Sequence, residues 1–248
     1  MSLGHGNFKS ILIYAKNPQA AYSLRKLGPY SGPIVRVRRD SDNTELDIYA
    51  ATDKQGLDTT TLLNFVGSGS GYIKTWYDQS LNSRNASQAT LASQPRLVLN
   101  GAIHTVNNRH SVVFSGTQDL VAPATLFGCT FATFQRGTNN QVISELSGSS
   151  NRGLFGGTGG SNIYWTHSQY AVNGGSLIAT QPTLAVGSNL YQVTGAGITT
   201  TERSHRIGFG TPSWEPLIGN LCELIIYGSD ISSQRTYIEW NQMNYYGI

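Results

Sequence analysis

Charge is the scarcest commodity in this chain. Asp, Glu, Lys and Arg make up 12% of its 248 residues, against about 25% in an ordinary soluble domain. That excludes a highly charged disordered tail and a Glu/Lys-rich coiled coil. There are two Cys, too few for a small disulfide scaffold. Cys129 and Cys222 both sit in apolar, strand-like segments, where a free buried thiol is the simpler reading and a bridge stays open. No apolar run approaches the ~20 residues of a membrane-crossing helix. The run Ile11–Ala15 is also too short for a signal-peptide core, so secretion is not expected.

The net charge is +3. The one cationic cluster, Arg36, Arg38 and Arg39, is followed at once by Asp40, Asp42, Glu45 and Asp47. A nucleic-acid binder concentrates its cations on one face, so nucleic acid is not expected as a partner. The four carboxylates offer hard oxygen ligands for calcium, but they lack the Gly and the distal Glu of an EF-hand loop. A solvated hairpin turn is the reading adopted. The five His residues are isolated, so no zinc site is expected. The Gly-rich stretch 153–160 lacks the Gly-Lys-Ser ending of a phosphate loop. Gly67–Gly71 spells Gly-x-Ser-x-Gly but follows a helix and precedes a strand, the wrong order for a nucleophile elbow. No cofactor and no metal are expected.

What is abundant is Gly, 28 residues, together with short alternating apolar runs. Ile34–Arg38 and Leu46–Tyr49 alternate with period two and flank turn chemistry at Asp40–Asn43, which predicts a hairpin. Leu57–Val66 reads as a helix capped by Asp58 or Thr59 and stopped by Gly67. Tyr72–Tyr77 reads as a strand. From 96 to 227 come Arg96–Leu99, Ser111–Phe114, Cys129–Phe134, Val142–Leu146, Ile163–Thr166, Tyr191–Thr194, His205–Phe209 and Leu217–Tyr227. Many short strands between turn signals predict an all-β sandwich or barrel. A final helix follows, with an Arg235–Glu239 pair and Gly247 as its stop. Residues 1–20, with strand-like Ile11–Tyr14, read as an N-terminal arm, and 21–248 as one domain.

Three stretches together resemble a known family. They are Ala21–Leu27, Val35–Arg39 with Ser41-Asp42-Asn43, and Trp76-Tyr77-Asp78-Gln79-Ser80 with Arg84-Asn85-Ala86. In this order they are similar to the N-terminal part of the arabinofuranosidase B catalytic-domain family. The C-terminal stretch Glu223–Tyr227, with the helix to Ile248, resembles the end of laminin-G-like concanavalin modules found in bacteriophage structural proteins. The resemblance implies a concanavalin A-like two-sheet β-sandwich, or jelly roll, with a short internal helix and a C-terminal helix.

The same resemblance implies two competing functions. In the hydrolase family a Glu near the start of a central strand is the nucleophile, and the matching strand here, Cys129–Phe134, carries no carboxylate. Glycoside cleavage ordinarily needs two carboxyl groups. The leading expectation is therefore a non-enzymatic bacteriophage virion protein, a capsid decoration or tail-associated module located in the virion. Its partners would be other virion proteins in a homo-oligomer, with a trimer by analogy, and a host surface glycan. The alternative is a glycoside hydrolase or depolymerase related to arabinofuranosidase B, for which Asp78 and Glu223 are the candidate carboxylates. A turn-capping role for Asp78 and an Arg partner for Glu223 are the plainer readings of those two. A free carbohydrate-binding module is a third class. For glycan binding the candidates are Tyr164, Trp165, His167, Tyr170 and Trp214, because aromatic faces stack on sugar rings while His hydrogen-bonds hydroxyls. The alternative for these is packing in the core or against a neighbouring subunit.

Overall fold

The computed structural model describes residues 11–15, 17–52, 56–126, 128–137, 141–142, 144–146, 168–196 (except 181, 183, 186 and 188), 202–208 and 215–248. A helical turn, α1 (Ile11–Tyr14), precedes β1 (Ala20–Ser23), β2 (Val35–Arg39), β3 (Glu45–Ile48), α2 (Thr59–Val66) and β4 (Gly71–Trp76). Short strands follow: β5 (Ala86–Ser87), β6 (Arg96–Leu99), β7 (Ala102–Ile103), β8 (Thr105–Val106) and β9 (Arg109–His110). Then come β10 (Val112–Ser115), β11 (Leu120–Thr125), β12 (Cys129–Arg136), β13 (Gln141–Val142) and β14 (Ser144–Leu146). The chain closes with β15 (Gln169–Val172), β16 (Leu190–Ala196), β17 (Arg203–Ile207), β18 (Glu215–Pro216), β19 (Ile218–Tyr227) and α3 (Arg235–Tyr246).

Fifteen strands form one curled sheet whose main path runs β14-β17-β11-β5-β4-β6-β10-β19-β12-β16-β15. Its pairings are antiparallel, as expected for hairpin-connected short strands. The architecture is an all-β sandwich with a C-terminal helix. Alternation, reset by one bulge in β4 and one in β19, explains the main core. Val35 and Val37 of β2, Ile73 and Trp76 of β4, and Leu221, Leu224 and Ile226 of β19 all point into it. The helix α2 adds Leu62 and Val66. Its N-cap is Asp58, whose side chain accepts from the Thr61 N–H at 3.0 Å.

β19 is buried on both faces. Its other face, with Ile225 and Tyr227, meets Phe131 of β12, Ile238 of α3, and Ile11 and Leu12 of α1. α3 ends at Gly247, which adopts φ +71° as a left-handed cap. The strand-like run Ile11–Tyr14 is in fact a turn of helix. Its Leu12 N–H donates to Leu27 O at 2.9 Å, and Tyr227 Oη donates to Ala15 O at 2.8 Å. Four apolar residues in a row carry no period, so pattern alone does not separate the two conformations. The segment Ile163–Thr166 lies outside the described residues. Both cysteines are buried free thiols. Among the described residues no helix is long and apolar enough to cross a membrane.

His205 on β17 is fully buried, and burial pushes its imidazole down to about 3. An unfolded histidine takes up its proton near pH 6.5. Between those two values the unfolded chain binds more protons than the folded one, so acidification costs stability. The loss is at most about 1.4 kcal/mol per pH unit. Urea midpoints taken from pH 7 to pH 4 should therefore fall less steeply for His205→Leu than for the wild-type chain. Parallel curves would rule out a buried neutral His205 as a source of acid sensitivity.

Candidate functional site

The two carboxylates singled out in the sequence are both buried, and both are committed to holding the chain together. Glu223 lies on β19 and is 0% exposed. Arg25 meets it with a two-point contact, Nε to Oε2 at 2.8 Å and Nη2 to Oε1 at 3.1 Å. Ser23 Oγ donates to Oε2 at 2.8 Å, Gln242 Nε2 to Oε1 at 3.1 Å, and Tyr246 Oη to Oε2 at 3.3 Å. Arg25 also lies 4.2 Å over the Tyr245 ring. Burial opposes the Arg25 charge, yet the Glu223 carboxylate more than offsets this and holds the guanidinium above its ordinary value. A carboxylate enclosed in this way has no open side for a sugar.

Asp78 follows β4 and is 2% exposed. Its Oδ1 accepts from Ala21 N at 2.8 Å and from Ser80 N at 2.9 Å. Its Oδ2 accepts from Ser80 Oγ at 2.6 Å and from Arg84 N at 3.0 Å. The next residue, Gln79, continues the work: Nε2 donates to Ser23 O and Arg25 O, and Oε1 accepts from Leu27 N. The Tyr-Asp-Gln-Ser stretch thus fastens the 78–84 loop to β1 and its continuation. Both carboxylates thus fasten the same strand: Asp78 accepts from Ala21 N and Glu223 from Ser23 Oγ, two residues apart on β1.

Of the aromatic set, Tyr164, Trp165, His167 and Trp214 lie outside the described residues. Tyr170, on β15, is 3% exposed and packs in the main core. The acidic run Asp40–Asp47 is spent on its neighbours. Asp42 pairs with Arg39 at 2.6 Å, Asp47 with Arg36 at 2.6 Å, and Glu45 with Lys74 at 2.6 Å. Arg36 and burial pull the Asp47 carboxyl in opposite directions, and Arg36 prevails, holding it low. Asp40 Oδ1 accepts from Ser70 N at 3.0 Å. Among the described residues no group of His, Cys, Asp and Glu is placed to hold a metal ion.

A site that sequence reasoning missed lies on the outer face of the sheet. Arg38 on β2 pairs with Tyr72 on β4, Tyr72 pairs with Arg96 on β6, and Arg96 pairs with Val113 on β10. Directly paired residues share a face, so these four form one row across four strands. The row floors a groove of about 460 Å³, with Gln94 and Gln118 among its walls. That size lies within the ~300–1,000 Å³ of small-molecule sites. Arg38 sits 4.8 Å over the Tyr72 ring. Its Nε donates to Gln94 Oε1 at 2.7 Å and its Nη1 to Asn43 Oδ1 at 2.7 Å. Arg96 Nε donates to the neutral ring of His104 at 3.0 Å. Burial, then Arg96, lowers the His104 pKa and keeps that ring an acceptor. The cue in the sequence was two Arg at strand positions facing away from the core, but it needs the register to join them.

The sequence matches no protein-family model and no curated protein. Solved structures do match. An arabinofuranosidase complexed with arabinofuranosyl-α-1,2-xylobiose superposes with a TM-score of 0.63 at 15% identity, covering 93% of this chain and 64% of that one. A GH54 α-L-arabinofuranosidase soaked with a cyclic sulfate inhibitor gives 0.58 at 16% identity with the same coverage. A Glu-to-Gln mutant GH54 enzyme soaked with 4-nitrophenyl α-L-arabinofuranoside gives 0.59 at 15%. The chain thus spans 64% of the length of the enzymes it matches. At this identity the likeness shows the fold: a β-sandwich of the kind used by arabinofuranosidases. It corrects the leading expectation. The reading as a non-enzymatic bacteriophage capsid or tail protein is overturned, because the matching structures are glycoside hydrolases. That expectation leaned on a missing strand carboxylate, and absence from one strand does not speak for the whole sandwich.

The Glu223 network is testable by a double-mutant cycle. Arg25→Met leaves a buried, unpaired carboxylate and should cost about 3–5 kcal/mol in urea unfolding. Adding Glu223→Leu should return a large part of that loss. If Arg25→Met alone is nearly neutral, the pair does not anchor the fold.

Proposed function

We propose that this chain is the sandwich domain of a glycoside hydrolase acting on α-L-arabinofuranosides. The observation that carries the reading is the superposition of 93% of the chain on arabinofuranosidase structures, one of them holding an arabinofuranosyl-xylobiose. Hydrolysis needs a carboxylic acid to protonate the leaving oxygen and a carboxylate to act as nucleophile or base. Asp78 and Glu223 are unsuited, being enclosed by donors that belong to the scaffold. Every carboxylate whose side chain is described has an internal partner; Asp119, for example, pairs with Arg206 and Glu239 with Arg235.

Three acids, Asp53, Glu145 and Glu215, have side chains outside the described residues, and the pair we put forward for test is Glu145 of β14 and Glu215 of β18. β13 pairs in parallel with β18 through Val142 and Pro216, and β14 begins two residues after Val142. The two glutamates thus belong to neighbouring segments of the backbone. The experiment is release of 4-nitrophenol from 4-nitrophenyl α-L-arabinofuranoside between pH 4 and pH 8. The wild-type chain should turn over. Glu145→Gln and Glu215→Gln should each lower kcat about 100-fold or more without moving the urea midpoint. A folded wild-type chain with no turnover on this substrate, nor on arabinoxylan, overturns the proposal.

A further inference from the structure

The groove floored by Arg38, Tyr72 and Arg96 has a charge pattern that a neutral sugar does not call for. Arg38 is 6% exposed, and both of its hydrogen bonds go to neutral amide oxygens, those of Gln94 and Asn43. Arg96 spends its Nε on neutral His104. Among the described residues neither guanidinium has a carboxylate within ion-pair distance. Three other arginines of this sheet, Arg36, Arg39 and Arg206, each hold an Asp. Taking a guanidinium out of water without a counter-charge is costly, and arginine is the residue that grips carboxylates with two parallel bonds. Arg38 Nη2 and both Nη atoms of Arg96 remain for such a grip. The one acid on the lining, Asp40, is exposed and accepts from Ser70 N, so the pair of arginines keeps the lining net positive.

We infer that this groove binds a carboxylate-bearing sugar, the class to which uronic acid residues belong. The two arginines take the carboxylate, and Gln118 and Ser115 at the wall offer hydrogen bonds to ring hydroxyls. Ser115 and Gln118 are already bonded to each other through Ser115 Oγ and Gln118 Oε1 at 2.9 Å, which sets their orientation before a ligand arrives. The sugar part of the inference rests on the carbohydrate reading above; the anionic part rests on the arginines alone. The groove would then hold an acidic unit of a heteropolysaccharide whose arabinofuranosyl branch is cleaved elsewhere on the domain.

The test is titration calorimetry with tri-galacturonate, its neutral counterpart galactotriose, and sodium acetate. Tri-galacturonate should bind at least tenfold more tightly than galactotriose, weaken as salt is raised, and lose at least tenfold on Arg96→Gln. Arg96 is half-buried at the groove, so its variant avoids the folding risk of a change at Arg38. Arg38→Lys gives a second reading: its folding is checked by urea midpoint, and it should weaken the acidic sugar while leaving galactotriose unchanged. Equal binding of the acidic and neutral sugars, or no effect of Arg96→Gln, overturns the inference. Acetate binding as tightly as tri-galacturonate removes the sugar from it. Arginine-dependent uronate binding without arabinofuranoside turnover would sink the hydrolase and leave this site standing; turnover without uronate preference does the reverse.

Discussion

The contact on which the rest of the molecule depends is the buried pair of Arg25 and Glu223. It joins residues almost 200 positions apart: the first strand's continuation, the last strand, and the final helix through Gln242 and Tyr246. An ion pair removed from water gains stability only when its remaining donors and acceptors are also satisfied. Here Ser23, Gln242 and Tyr246 do that, and Gln79 secures the backbone that carries Arg25. The cost of breaking it is what gives it structural meaning. A helix laid on a sheet by apolar contacts alone can slide by a turn. One whose Gln242 must reach a particular carboxylate cannot.

That constraint makes β19 a strand with two occupied faces. One face fills the sandwich through Leu221, Leu224 and Ile226, and the other carries Glu223, Ile225 and Tyr227 under α3 and α1. The α3 side is unusually polar for an interior. Thr194 Oγ1 donates to Glu239, and Gln192 Nε2 reaches Gln242. The groove lies on other strands of the sheet, β2, β4, β6 and β10. The row Arg38–Tyr72–Arg96–Val113 lies there.

Local signals in the sequence carried well into the structure. The hairpin of β2 and β3, the helix α2 with its Asp58 cap, strand β6 and the Gly247 stop are each set by neighbours within a few residues. Ile11–Tyr14 is the instructive exception, since a four-residue apolar run fits a strand or a buried helical turn equally. Asp78 shows how far local chemistry reaches. An Asp followed two residues later by Ser is a turn pattern, and the turn is there, but its bond to Ala21 N is not visible from the turn alone. The partner of Glu223 and the row of arginines depend on register across distant strands. A shift by one residue would move Arg38 to the other face. No window of sequence contains that information.

The same reasoning bears on the question of activity. A fold can persist while its carboxylates change duty, because the scaffold needs only that buried charges be paired and buried carbonyls be met. Asp78 and Glu223 meet those needs. Their places in the chain are accounted for by the scaffold contacts they make. Chemistry has to be sought among carboxylates that the scaffold does not already enclose. Recognition of an anion has to be sought where guanidinium charge is not answered by a carboxylate, as at Arg38 and Arg96 among the described residues. The sandwich therefore separates its duties: the helix-covered side holds the chain together, and the row of Arg38, Tyr72 and Arg96 stands outside that network.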